Sequence, residues 1–252
     1  MQNINKNIAL QELQSLLVSN LSKSLDYMPN DFNAQQQQMI EMFKNRIFLE
    51  EIVDETISFN KKIIWDVSLK NLNIVTNAED LIEVFKLRSD VYKNINYQKE
   101  FPDIINGLNF DIYDKKSAII FYQNEKTITG TTRLIFDSEN KLPTDKIFSF
   151  DAIRKQYNKI GELSRLIVKH EQKGLNLEFK YLMKGVYFLF ILNDIDITFL
   201  GIKKEHYKLY ERFGGNSILE ELDNYGNLDL DALILSWNPN EVSDFFKRTF
   251  LK

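Results

Sequence analysis

The sequence predicts an α/β (α+β) layer fold: a mixed central sheet flanked by helices, with an N-terminal helical extension. Three observations predict it. Apolar residues in the first 70 positions recur at helical spacing. From about residue 72, short alternating runs take turns with helical stripes, the pattern of packed helix and sheet layers. The 252 residues, 44% hydrophobic with 19 Phe and 11 Tyr, suffice for one large domain or for an ordinary domain with an added module, and exclude a disordered chain.

Leu10, Leu13, Leu17 and Leu21 follow a 3-4-4 spacing, which puts one apolar stripe on a helix over 4–26. Residues 28–33 supply a turn and two N-cap candidates, Asp31 and Asn33. A second helix from about 34 to about 62 carries Met39, Phe43 and Ile47 on one face, with Phe48 and Ile52 beside them. These helices form the extension, residues 1–70, and a second domain occupies 71–252. There Asn73–Val75 reads as a strand, and Ala78–Lys93 as a helix with Leu81, Val84, Phe85, Arg88 and Tyr92 at helical spacing.

Residues 94–114 make a long aromatic-rich loop, a length that in compact domains is uncommon and often functional. Ser117–Gln123 and Thr127–Phe136 read as a hairpin, followed by a polar excursion with a helix at about 148–157. Glu162–Lys169 is the next strand. Gly174 leads into the helix Leu177–Leu192, apolar enough to need burial on most sides. Ile195–Gly201 is a strand, and Lys203–Phe213 a helix stopped by Gly214 and Gly215. Residues 217–237 give two more strands and 239–250 a final amphipathic helix.

Composition removes several function classes. Without Cys there is no disulfide framework, thiolate zinc site or cysteine nucleophile, and with only His170 and His206 no metal site is expected. A net charge of −4 argues against nucleic acid as a partner. The longest apolar run, Val186–Leu192, has seven residues where a membrane span needs roughly 20. The first residues lack a basic flank before an apolar core. The expectation is a cytoplasmic protein that is not an integral membrane protein.

Two stretches suggest chemistry. In 167–185, the turn at Gly174 opens a helix whose first N–H groups suit a phosphate or pantetheine amides; an ordinary tight turn is the other reading. Elsewhere Arg88 and Tyr92, then Asp111 and Asp114, then Gly130 and Arg133, then Glu162, Ser164 and Arg165 occur in order. The separations are 3 from Asp111 to Asp114, 29 from Arg133 to Glu162, and 3 from Glu162 to Arg165.

The order of elements resembles the GNAT acyltransferase fold, whose central strand splays from its neighbour to admit an acyl thioester. The ordered residues, with the segment 205–214, resemble the N-acyl amino acid synthases and their relatives, the acyl-homoserine lactone (autoinducer) synthases. The resemblance covers about residues 72–216. Gly161 stands where the lactone synthases commonly carry Trp, which favours the amino-acid branch. At the pyrophosphate loop, Glu171, Gly174 and Asn176 replace the family's Gln or Arg, Gly, and Gly or Ala. A carboxylate there repels a pyrophosphate, which weakens coenzyme A as the donor.

The resemblance implies an N-acyltransferase that moves a fatty acyl group from acyl carrier protein, or from coenzyme A, to the amine of an amino acid. The phosphopantetheine thioester is then a substrate, with no tightly bound cofactor. Glu162 is the implied base that takes the amine proton. Tyr210 is the implied acid for the thiolate; a core Tyr with its hydroxyl at the rim is the alternative. Backbone amides at Leu166, Ile167 and Val168, with Gly174, are implied to hold the thioester and its oxyanion. Arg88, Tyr92, Asp111, Asp114, Arg133, Ser164 and Arg165 shape the amino-acid site, either by meeting its carboxylate or as ion pairs that fix the long loop.

Residues 141–212 hold 14 Lys or Arg and 9 Asp or Glu, a balance of +5, against −9 for the rest. A face of that sign would steer an acidic carrier protein to the cleft; a solvated mixed surface is the alternative. Two other functions fit the same residues: a lactone synthase using S-adenosylmethionine, and a non-catalytic protein that binds an acylated carrier.

Overall fold

The computed structural model describes Gln11, residues 32–169 and residues 176–252. Apart from Gln11, the helix expected over 4–26 lies outside the described residues, as do Glu171 and Gly174. The chain forms two compact units, one up to Val53 and one from Asp54 to Lys252. Helix α1 (Ala34–Asn60) runs through both. It starts in a reciprocal cap: Gln36 N–H donates to Asn33 Oδ1 and Asn33 N–H to Gln36 Oε1, each at 3.0 Å.

The second unit is built on a sheet of seven strands: β1 (Leu72–Ile74), β2 (Ser117–Asn124), β3 (Thr127–Phe136), β4 (Ile160–Val168), β5 (Ile197–Lys203), β6 (Asn216–Leu222) and β7 (Ala232–Trp237). The spatial order is β1-β2-β3-β4-β5-β7-β6. Every neighbouring pair is antiparallel except β4 with β5. Helices α2 (Ala78–Asn94), α3 (Leu177–Leu192), α4 (Tyr207–Phe213) and the short α5 (Asp244–Phe246) complete it. This is the mixed, helix-flanked sheet that the sequence predicts.

Side chains alternate along a strand, so β3, β4, β5 and β7 each feed two cores. Leu134, Leu163, Leu200 and Leu235 join α3, Phe213 and Phe246 in the larger one. Ile135, Ile160, Phe199 and Ile234 turn the other way, toward Phe150 and Leu142. Phe199 and Phe150 stack there with ring centroids 4.0 Å apart. Glu162 and Ser164, in step with Ile160, belong to this second face.

The feature that positions the site is where β4 and β5 part. Their parallel register is only Ile160↔Ile197, Gly161↔Thr198 and Glu162↔Phe199. Beyond Glu162, β4 follows β3 to Val168 while β5 follows β7 to Lys203. A wedge opens between the two strands with Glu162 at its apex.

Two expected helices are replaced. Residues 148–157 form successive turns, with Ile153 and Arg154 N–H both on Phe150 O at 2.9 Å. The segment is held by side chains: Asp145 accepts Phe150 N–H, and Arg154 grips Asp137 and Asp145. The helix expected over 239–250 is a turn at Pro239–Glu241, a break, then α5 and a wider helical turn at Lys247–Leu251. The break has a cause at Ser243, whose N–H and hydroxyl donate to Phe213 O at 2.7 Å and Arg212 O at 2.6 Å. Similarly, β5 runs to Lys203 because it pairs with Ala232, so α4 proper begins only at Tyr207.

Candidate active site

Glu162 is 2% exposed. Burial pushes its carboxyl up to about 7; the backbone bond from Thr144 and the charge of Arg133 pull it down, and Asp145 adds to the rise. Its bound neighbour is a backbone group: Thr144 N–H donates to Glu162 Oε2 at 2.9 Å. Thr144 lies in the turn Pro143–Lys146, where Leu142 N–H goes to Asp145 Oδ2 and Pro143 has no N–H. Thr144 therefore carries the free donor of that turn. A buried carboxyl half ionised near neutrality is suited to take a proton and return it.

Beside it lies a buried ionic cluster. Arg133, 2% exposed, donates through Nη1 to Asp111 Oδ1 at 2.6 Å and Asp114 Oδ1 at 2.8 Å, through Nη2 to Asp111 Oδ2 at 2.9 Å, and through Nε to Ser164 Oγ at 2.9 Å. Arg88, fully buried on α2, reaches Asp114 Oδ1 at 2.8 Å. Arg165 Nη2 reaches Asp111 Oδ2 at 2.9 Å, and its guanidinium lies over the rings of Phe101 at 4.3 Å and Tyr92 at 5.2 Å. Burial alone would raise the Asp111 carboxyl, but Arg133 and Arg165 hold it well below the usual carboxylate range. Burial lowers Arg88, as do its two cationic neighbours.

Three guanidinium groups thus face two carboxylates, an excess of one positive charge. Arg88 Nε and Nη2 and Arg165 Nη1 are buried with no hydrogen-bond partner in the protein. Unpaired buried donors are costly, and a carboxylate is the group that would satisfy them.

Backbone geometry aims Arg165. Two β4 residues oppose one on β3, since the register passes from Arg133↔Ser164 to Thr131↔Ile167, and Arg165 sits in this bulge at φ 55. A left-handed conformation costs a non-glycine residue about 1–3 kcal/mol and recurs where a side chain must be re-aimed. Further along β4, Lys169 N–H donates to Thr129 O at 2.8 Å. The antiparallel alternation therefore turns Val168 N–H away from β3, toward the wedge.

The structure brings together Arg88, Tyr92, Asp111, Asp114, Arg133, Ser164 and Arg165, with Glu162 next to them. Tyr210 is 8% exposed in the larger core, its ring 5.2 Å from Phe213, its hydroxyl pushed up to about 12 by burial. Leu166 and Val168 pack on that same core, and Ile167 is buried. His206 is exposed at the start of α4. Among the described residues no cluster suited to a metal ion occurs, and no helix is long and apolar enough to cross a membrane.

Sequence reasoning missed Tyr225, Thr144 and Arg154. Tyr225, on the β6–β7 connection, lies over Gly201: a Cβ there would be 2.9 Å from Tyr225 Cε2. Burial pushes its hydroxyl up to about 12, the charge of Glu162 adds to this, and Arg165 opposes it. The ring lies 6.4 Å from Phe101, and the adjacent Asn227 N–H donates to Glu100 Oε2 at 2.7 Å, joining this connection to the long loop. A lone aromatic residue in the polar stretch 223–227 was the available signal.

The family model of the N-acyl amino acid synthase FeeM matches residues 83–238, a stretch that holds every candidate residue above. Among solved structures, FeeM from uncultured soil microbes aligns with a TM-score of 0.53 at 17% identity, covering 71% of this chain and 94% of that one. The acyl-homoserine lactone synthase LasI aligns at 0.51 and 19%, covering 67% and 89%. BjaI, a CoA-dependent lactone synthase solved with SAM and isopentyl-CoA, aligns at 0.52 and 16%, covering 68% and 81%. At such identities the likeness shows the fold. An uncharacterized protein of Plasmodium falciparum (isolate 3D7) is 28% identical over 167 residues, 64% of this chain and 11% of that protein, so the match spans about a tenth of that relative's length.

Proposed function

Since the chain belongs to the family of the N-acyl amino acid synthase FeeM and is an acyltransferase, we propose that it joins a fatty acyl group to the α-amine of an amino acid. Residues 71–252 are the catalytic domain in this reading. The observation that carries it is the juxtaposition of Glu162 with a buried cluster whose guanidinium donors outnumber their acceptors. An amino acid brings what both lack: a carboxylate for the Arg88 and Arg165 donors, and an amine whose proton Glu162 takes.

The amine nitrogen attacks the thioester carbonyl, the C–N bond forms, and the proton moves to Glu162, directly or through water. Val168 N–H meets the oxyanion; then the C–S bond breaks and the thiolate takes up a proton. Tyr210, in the core against which Leu166 and Val168 of β4 pack, gives that proton and regains one from solvent, while Tyr225 lies on the Glu162 side. Acyl carrier protein is the preferred donor, because Glu171 disfavours a pyrophosphate and the +5 balance over 141–212 favours an acidic protein. The protein acts in the cytoplasm, where that carrier is made.

The amino-acid branch is favoured over the lactone branch at Gly161. A Cβ there would lie 2.9 Å from Ile135 O and 3.0 Å from Leu134 Cδ1, so the Trp of the lactone synthases has no room unless β3 shifts. The test is purified protein with acyl carrier protein or coenzyme A thioesters and each amino acid in turn. Thiol release matched by an N-acyl amino acid is expected. Thiol release with methylthioadenosine, from S-adenosylmethionine alone, would replace this reading with the lactone synthase.

A further inference from the structure

Arg154 lies outside the ionic cluster and contacts neither Glu162 nor the wedge, yet it is the most heavily bonded side chain of the 137–159 excursion. Its Nε and Nη2 donate to the two oxygens of Asp137, each at 2.7 Å. Its Nη1 donates to Asp145 Oδ1 at 2.7 Å, and Nη2 to Asp145 Oδ2 at 2.5 Å. One planar fork thus clamps the Asp137 and Asp145 carboxylates, with a longer bond from Nη1 to the exposed Asp151 Oδ1 at 3.2 Å, a geometry that lysine cannot reproduce. Asp137 follows β3 directly and is tied to the sheet through its N–H on Ile160 O at 3.1 Å. Asp145 in turn accepts Leu142 N–H at 2.9 Å and Phe150 N–H at 3.2 Å, closing the turn that holds Thr144.

A continuous path therefore runs from the sheet through Asp137, Arg154 and Asp145 to the N–H that bonds Glu162. We propose that Arg154 is a positioning residue for the acyl transfer: it fixes the Pro143–Lys146 turn so that Thr144 N–H stays on Glu162 Oε2, and it neutralises the Asp145 charge that Glu162 would otherwise face. Both actions favour the carboxylate form of Glu162. Removing Arg154 loosens a bond to the ionised form and leaves a like charge uncompensated, so the proton is held more tightly.

This inference rests on Glu162 being the base, and the experiment separates the two. Glu162 is titrated by infrared difference spectroscopy of the protonated carboxyl stretch, with Glu162→Gln as the blank, alongside the pH dependence of kcat/KM and a urea melt. The wild-type midpoint is expected near 7. In Arg154→Ala it moves up by about one pH unit, and the acid limb of kcat/KM moves with it. Arg154→Lys, which keeps the charge but not the fork, falls between. A midpoint unmoved in folded Arg154→Ala overturns the inference, even if stability falls, since a merely structural role predicts that result. If the Ala variant does not fold, an unmoved midpoint in Arg154→Lys overturns it equally. Wild-type turnover in Glu162→Gln would instead sink the base assignment and leave the infrared titration valid.

Discussion

Glu162 combines two properties that oppose each other in a folded protein: it is buried, and its work requires it to ionise. If it takes the amine proton, Glu162→Gln lowers turnover by about 10²-fold or more with the fold retained. Steady-state assay with circular dichroism checks this. The same carboxyl sets a pH dependence of stability. Its folded value, near 7, exceeds the ordinary 4.5, so the folded state holds the proton more tightly. The stabilisation this gives is complete below about pH 4.5 and is lost as pH rises through about 7. Relative to wild type, Glu162→Gln should therefore gain stability between pH 5 and 8, by up to about 3 kcal/mol. Urea midpoints at the two pH values measure it, and equal differences at both would contradict the buried, raised carboxyl. Glu162, Arg133 and Arg165 were legible because their order along the chain carries a family pattern. Thr144 was not, because it acts through a backbone N–H, a group that every residue but proline possesses.

At the scale of elements, the ionic cluster fastens the long loop to the sheet. Asp114 accepts from Arg88 and Arg133, and its other oxygen accepts Asp111 N–H at 2.9 Å. Asp114→Ala leaves two buried guanidinium groups short of an acceptor and should cost about 3–5 kcal/mol, read as a lower urea midpoint. A loss under about 1 kcal/mol would mean the cluster is not desolvated as the structure has it. The sheet, α2 and α3 were legible from periodicity, since each buries a continuous apolar stripe or face. The excursion at 148–157 was not. Its apolar residues Phe148, Phe150 and Ile153 pack on the second core without a helical stripe, and its shape comes from Arg154 gripping Asp137, 17 positions earlier. The break before α5 was hidden for the same kind of reason, Ser243 being drawn out of helical geometry by bonds to Arg212 and Phe213. Contacts distant in sequence decide both, and local spacing does not encode them.

For the whole molecule, the uneven charge balance bears on how the donor arrives. If residues 141–212 steer an acidic carrier protein, KM for the acylated carrier rises several-fold between 50 and 300 mM salt while kcat holds. A KM indifferent to salt would remove the steering. The fold class, the wedge-forming strand and most of the cluster could be read from the sequence, whereas the loop-to-loop contacts around Tyr225 exist only in the assembled fold. The most direct measurement is mass spectrometry of lipid extracts from bacteria overproducing the wild-type protein or Glu162→Gln. N-acyl amino acids present with the wild type and absent with the variant are the predicted result, and would name head group and chain length together. Equal amounts of such lipids from both strains, or acyl-homoserine lactones in their place, would contradict an amino-acid acyltransferase working through Glu162.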